Sequence, residues 1–500
     1  MRTTFKNELI KKGGVIFVFL LTILGPALLF SQSHIAWIQR YNGSGNLVDQ
    51  ASRVAVDGNG NVYVTGRSDS IGTGSDMVTL KYSPNGSLLW ERRYNGPGNA
   101  NDYALYMELD TAGNVYVAGT SVGVGTSSDY TILKYDSNGN QLWVSRYSVS
   151  SSGDGMTGFT IDALGNSYLS GFSYVGGLNN YDEVVAKFNS QGNYLWSVIR
   201  DTGPGSWDVV EAIALAPDGS IYLSRNNLFG TPFLEKLFHW SVVLPEFYKQ
   251  LITDKSGNIY IGNYLGNYIT RKYDSSGTLI WERIYNGPAN GNDGLRKMVI
   301  DDKANIYVTG QSPGVGTGND FATIKYDSAG NQLWVQRFNG GLDKDDAATE
   351  IVVDNNGNVC VAGNSAGNGT HWDFAVIKYD SLGNFIWQGR YNGPGDSTDL
   401  VSDITADGNG NIFVTGSSFD GASNNDIATI KYSLTAVLKG DLDENGVLAL
   451  DDVVSLLNCV FLGEGNCSPK FADVNCDASL SPADVVVLLL TFFALATPPC

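Results

Sequence analysis

The chain has 500 residues, 60 of them glycine, with 17% charged residues and a formal net charge of −19. So acidic a balance argues against a nucleic-acid partner, because backbone phosphates demand stripes of Lys and Arg. Abundant glycine with 11% aromatic residues suits many short strands joined by tight turns.

The first element is a targeting segment, residues 1–33. Arg2, Lys6, Lys11 and Lys12 form a basic start, Val15 to Phe30 an apolar core, and Ser31-Gln32-Ser33 a small-residue cleavage region. The apolar run, broken by Gly25-Pro26, is short for a membrane span. A secreted bacterial protein is expected, extracellular or on the cell surface, with no membrane span after cleavage.

From residue 34 a tryptophan returns every 53 residues, at Trp37, Trp90, Trp143 and Trp196, then at Trp281, Trp334 and Trp387. A phrase returns with it: Arg93-Tyr94-Asn95-Gly96-Pro97 recurs as Arg390-Tyr391-Asn392-Gly393-Pro394. A period of this length marks a repeat architecture. Each unit holds four short runs of β-branched and aromatic residues, A to D, bounded by Gly, Asn, Asp and Ser. One unit reads Ala348–Asp354, Val359–Gly363, Asp373–Tyr379 and Phe385–Tyr391. An antiparallel meander of four strands, repeated, is a β-propeller blade.

Asn61, Asn114, Asn166, Ser220, Asn258, Asn305, Asn358 and Asn411 each open a B strand, which gives eight blades over 34–434. The pair over 196–280 is degenerate, with Trp240 standing in for the missing phrase. Merging of these two short units would leave seven. The last blade lacks a Trp strand and the chain begins with an orphan one, Ile35–Tyr41, so the N-terminal strand should complete the last blade. That removes an open edge.

The phrases around Gly60-Asn61-Val62-Tyr63 and Lys81-Tyr82, followed by Trp90, resemble the SBBP family of bacterial β-propeller repeats over roughly 36–432. The resemblance implies an exported propeller and does not imply an enzyme.

Most repeated residues have a structural reading. The tryptophans should pack neighbouring blades together. Lys81, Lys134, Lys187, Lys325, Lys378 and Lys431 should be paired or snorkelling. Cys360 replaces a repeated Tyr or Phe and should be a buried free thiol. The aspartates allow two readings. One set, Asp49, Asp102, Asp208, Asp293, Asp346 and Asp399, ends the D-to-A loop; the other, Asp76, Asp129, Asp182, Asp320, Asp373 and Asp426, ends the B-to-C loop. Both loops emerge on one face of the disc. The aspartates either cap turn N–H groups at strand starts or form a cation or polar-ligand surface on a rigid scaffold. Tyr130, Tyr181 and Trp372, beside them, are the exposed aromatic contacts expected of such a surface.

After a linker over 435–440, composition changes. Two twelve-residue acidic loops follow, each leading into an apolar helix, Val453–Leu462 and Val485–Ala496. Asp441, Asp443, Asn445, the Val447 carbonyl and Asp452 supply hard oxygen donors in the first; Asp473, Asn475, Asp477, Ser479 and Asp484 supply the second. Two bound Ca²⁺ ions are expected. The pair resembles a type I dockerin, an α-helical paired-EF-hand-like module over 441–500. Loop two has Ala478 where glycine normally makes the sharp turn. Leu450/Asp451 and Pro482/Ala483 stand where dockerins carry hydroxyls that select a cohesin. Cys459, Cys467, Cys476 and Cys500 allow three pairings, of which near-neighbour pairing is the expectation.

The fold expected is thus all-β, an eight-bladed propeller followed by the small helical module. The function expected is a secreted, non-catalytic binding protein. Its propeller would take a glycan or protein, and its C-terminal module a cohesin-like or other surface protein. The alternative is a polysaccharide-degrading hydrolase or lyase using paired carboxylates. His34, His239 and His371 sit in no repeated setting, and no unique catalytic pair stands out.

Overall fold

The computed structural model describes residues 34–433 except 177–179, 202, 204–206, 227–232, 237–240, 244–249, 264–265, 368–370 and 422–423; beyond 433 it describes 456, 457 and 460. Residues Ile35–Ser433 form one compact unit.

Every named element of that unit is a strand. The two middle strands of a blade, such as Val62–Ser70 and Gly74–Tyr82, are buried almost throughout. They read as near-continuous apolar runs because neighbouring blades cover both their faces. The innermost strand, Asp49–Val56, alternates between buried and half-buried positions, and the outermost, Leu88–Tyr94, begins exposed. The A–B hairpin is fixed by its own aspartate. Asp57 Oδ1 accepts from the Asn59 and Asn61 amides, both at 2.9 Å, and Oδ2 accepts from Asn61 Nδ2 at 2.8 Å. Gly60 supplies the left-handed residue of the turn at φ +78°.

The strands pair antiparallel in chain order into four-stranded sheets. The sheet of Asp399–Ala406, Ile412–Phe419 and Asn425–Ser433 takes His34–Tyr41 as its outermost strand. The ring therefore closes through the N-terminal strand, as the orphan Trp37 segment implied. Asp403 reinforces the closure: its Oδ2 accepts from the Val54 amide of the first innermost strand at 2.9 Å.

Two parts of the expected fold are corrected. The eighth sheet, over 209–243, is a remnant. Its outer strands shrink to Phe233–Lys236 and Ser241–Val243, and 227–232, 237–240 and 244–249, Trp240 among them, lie outside the described residues. Seven whole blades remain. The physical reason is local: this stretch has lost the Asp-turn and Trp phrases that fix hairpins elsewhere. The helical paired-EF-hand-like module is likewise no part of the described architecture, which contains no helical element. Among the described residues, Leu456, Leu457 and Val460 alone have helical backbone. The ten expected calcium ligands and the four C-terminal cysteines lie outside the described residues.

The core sits between blades. One cluster joins Val62, Val64, Val78 and Leu80 of the first blade to Phe413 and Ile427 of the last. The tryptophans bind these junctions. Trp90 lies 6.0 Å from Tyr63 of its own blade and 6.3 Å from Tyr135 of the next, centroid to centroid. Its indole donates to Ser137 O at 3.2 Å, in the C–D turn of the next blade. Trp37, Trp143, Trp281 and Trp334 make the equivalent bond to Pro84, Ser190, Ser328 and Ser381.

Candidate functional site

The two sets of aspartates do share one edge of each blade. Asp49 faces Ser68, and Ser68 faces Asp76, across three strands. That edge is a bonding layer, not an exposed surface. Asp76, Asp129, Asp182, Asp320, Asp373 and Asp426 are all buried. The first set caps the repeated Asn-Gly turn: the Gly43, Gly287 and Gly393 amides donate to Asp49, Asp293 and Asp399 at 2.8, 2.9 and 2.6 Å. The second set holds the arginine of the repeated phrase. Arg40–Asp426, Arg93–Asp76, Arg146–Asp129, Arg337–Asp320 and Arg390–Asp373 meet at 2.9, 3.1, 2.8, 2.7 and 2.7 Å. Only Asp182 has no such arginine, because Ile199 occupies the register position. Tyr130, expected exposed, is wholly buried, and its hydroxyl donates to Phe172 O at 2.7 Å. Tyr181 and Trp372 are half-buried.

The lysines are structural. Lys81 Nζ lies 4.9 Å from the Tyr63 ring centroid and donates to Ser137 O at 2.8 Å, on the next blade. Lys325 repeats this with Tyr307 and Ser381. Where Cys360 replaces the ring, Lys378 is fully buried and pairs with Asp354 at 3.0 Å. Cys360 is a free, buried thiol, and burial pushes its pKa up to about 12.

A further group of charged side chains outside the repeated pairs lies on the innermost strands, at the centre of the ring. Each long innermost strand carries a β-bulge, for example between Ala51 and Arg53. The extra residue re-aims the side chains that follow it. Just after the bulge come Arg53, Tyr106, Lys297, Glu350 and Asp403. Lys297 Nζ meets Glu350 Oε2 at 3.0 Å. The Arg53 guanidinium sits 5.1 Å over the Tyr106 ring. Glu108, one turn of the pleat further along, completes the arc.

These groups feel one another. Burial raises Glu108 to about 7, Arg53 opposes the shift and Asp403 adds to it. Burial also raises Glu350, against Lys297, and raises Asp403, against Arg53 and Lys297. An acid poised near neutrality beside fixed charges of both signs can exchange protons and can orient a polar ligand. The 53-residue period does not point to these residues, because they differ from one repeat to the next. The signal lies in what does not repeat: sixteen residues after each repeated Trp the chain reads Arg53, Tyr106, Phe159, Ala212, Lys297, Glu350 and Asp403.

Residues 36–72 and 387–418 match the family model described as a β-propeller repeat, SBBP. No curated protein matches the chain. Among solved structures, Sqt1 of Saccharomyces cerevisiae is 9% identical, with the match covering 78% of this chain and 97% of that one at a TM-score of 0.51. Sqt1 of Chaetomium thermophilum is 12% identical over 80% and 99% of the two chains, with a TM-score of 0.50. At these identities the likeness is one of fold alone.

Proposed function

We propose that this β-propeller repeat protein is an exported, non-catalytic binding protein that takes a polar ligand, a glycan or a protein segment, at the centre of its ring. The observation that carries the reading is the arc from Lys297 through Glu350, Asp403 and Arg53 to Glu108, contributed by successive innermost strands. A rigid scaffold that holds charges of both signs in fixed places discriminates polar ligands by geometry. The repeated Arg–Asp pairs and tryptophan bonds hold the blades together. The test is glycan-array and peptide-array binding of the full chain, with product analysis, beside Arg53→Ala and Lys297→Ala. Saturable binding that both variants weaken, with ligand recovered intact, is the expected result. Binding unaffected by either variant would overturn the placement.

A second reading, a polysaccharide-degrading hydrolase or lyase, is favoured by Glu108, whose pKa of about 7 suits a general acid. Release of sugar fragments, abolished in Glu108→Gln, would select it over binding alone.

We also propose that the C-terminal segment binds calcium and attaches the chain to a cohesin-like or other surface protein. Support comes from the spacing of oxygen donors over 441–452 and 473–484. Chelation should lower the melting transition of the full chain and release the partner; a melt indifferent to chelator and to added Ca²⁺ would sink the proposal.

A further inference from the structure

In five blades a buried aspartate, a buried serine and an arginine form one unit. Arg93 in its blade donates to Ser68 Oγ at 2.8 Å and to Asp76 Oδ2 at 3.1 Å. Arg146 does the same with Ser121 at 2.5 Å and Asp129 at 2.8 Å. The guanidinium fits because its fork presents several donors in one plane. These arginine side chains stay 22–36% exposed, so each slot opens to solvent.

The blade spanning Asp154–Arg200 keeps the slot and lacks the arginine. Ile199 lies opposite Val184, as Arg93 lies opposite Val78 and Arg146 opposite Thr131. Asp182 still faces Ser173, as Asp76 faces Ser68. Asp182 is 8% exposed; its Oδ1 lacks a partner, as in the other blades, but here no arginine meets the carboxylate, since Ile199 holds that register position. The charges that reach it are those of Asp201 and Asp208, and with burial they raise its pKa. Ser173 Oγ, fully buried, has no donor. Tyr147, whose counterparts Tyr41 and Tyr94 bond the arginine, instead donates to Ser197 at 2.8 Å.

A second blade supplies the comparison. Over Gln250–Tyr285 the arginine is also lost, to Ile284 opposite Ile269. There the carboxylate is lost with it: Asn267 stands two residues before Ile269, as Asp182 stands two before Val184. A carboxylate buried without a cation is costly. Its loss alongside the arginine is the inexpensive outcome, and Asp182 departs from it.

We propose that the slot of Asp182 and Ser173 binds a guanidinium group from outside the chain, carried by an arginine side chain of a peptide or by a free alkylguanidine. A metal ion fits the slot less well, since no three His, Cys, Asp or Glu among the described residues are grouped to hold one. The site is separate from the centre of the ring and stands or falls independently of the function proposed there.

The test is thermal denaturation of the full chain titrated with methylguanidinium, with an Ala-Arg-Ala peptide and with Ala-Lys-Ala, at constant ionic strength. The wild type should show a saturable rise in melting temperature with the guanidinium probes and a much weaker one with the lysine peptide. Asp182→Asn should abolish the rise. Ile199→Arg should abolish it too and should melt higher than wild type without ligand, because it restores the internal pair. A response to the peptide alone assigns a peptide arginine; a response to both probes assigns the free group. No saturable rise in wild type, an equal rise with Ala-Lys-Ala, or an undiminished rise in Asp182→Asn would each overturn the proposal. Asp182→Asn keeps the test decisive if Ile199→Arg fails to fold.

Discussion

Asp129 and Arg146, on the third and fourth strands of one blade, meet at 2.8 Å with the aspartate buried and the guanidinium 22% exposed. Thr126 Oγ1 also donates to Asp129, at 2.9 Å. Removing one partner strands the other in a poorly solvated place, at a cost of roughly 2–4 kcal/mol. Arg146→Met should therefore destabilise the chain to denaturant by about that amount. Arg146→Met combined with Asp129→Asn should recover part of the loss. If the double variant were as unstable as the sum of the singles, the two residues would not be acting as a pair.

Asp154 gives the fold a pH dependence of definite sign. Burial raises its pKa to about 6, against the Val149 amide, which donates to Asp154 Oδ2 at 3.2 Å. Between about pH 4 and 6 the folded chain thus keeps a proton that the unfolded chain has released. Stability from this group is full below that window and is lost as pH rises through it. Asp154→Asn should flatten the slope and raise the melting temperature most at pH about 8. Melts across this range check it; a slope unchanged by the substitution would place the titration elsewhere.

The repeat made the scaffold legible. Fixed distances from Trp37 onward gave the blade, the closing strand and the aspartate edge, because a regular backbone converts sequence period into position. Burial was not legible. Asp76 and Tyr130 look like loop-edge contacts until the Arg93 and Phe172 partners appear, and those partners come from other strands. The blade count failed where the phrase failed, over 209–243. The central charges were missed because Arg53, Lys297 and Asp403 are what remains after the repeat is subtracted.

Gly139 tests the tryptophan junction from the other side. It has φ +80°, and a Cβ there would lie 2.8 Å from Trp90 Cδ2. Alanine would strain the turn and push the indole off its bond to Ser137. Gly139→Ala should cost about 1–3 kcal/mol. Gly125, at φ +80° with nothing within 4 Å of its Cβ position, carries the backbone strain alone. Gly125→Ala should therefore cost about 1 kcal/mol. Equal losses at both sites, read by denaturant titration, would show that the Trp90 contact adds nothing.

The electrostatics at the centre of the ring predict a titration that moves in a known direction. Glu108 is raised to about 7 by burial and by Asp403, while Arg53 holds it down. Taking away the guanidinium removes the only one of these influences that favours the carboxylate. Arg53→Met, which keeps the apolar stem, should raise the Glu108 pKa further. Asp403→Asn should lower it by removing a like charge, although it also weakens the acceptor for the Val54 amide. Carboxyl NMR titration of Glu108 in the three proteins separates these effects. Shifts of opposite sign in the two variants are required if the groups share one field. A Glu108 that titrates in the ordinary range for a glutamate, or that is indifferent to Arg53, would mean that the innermost strands hold separate charges rather than one site.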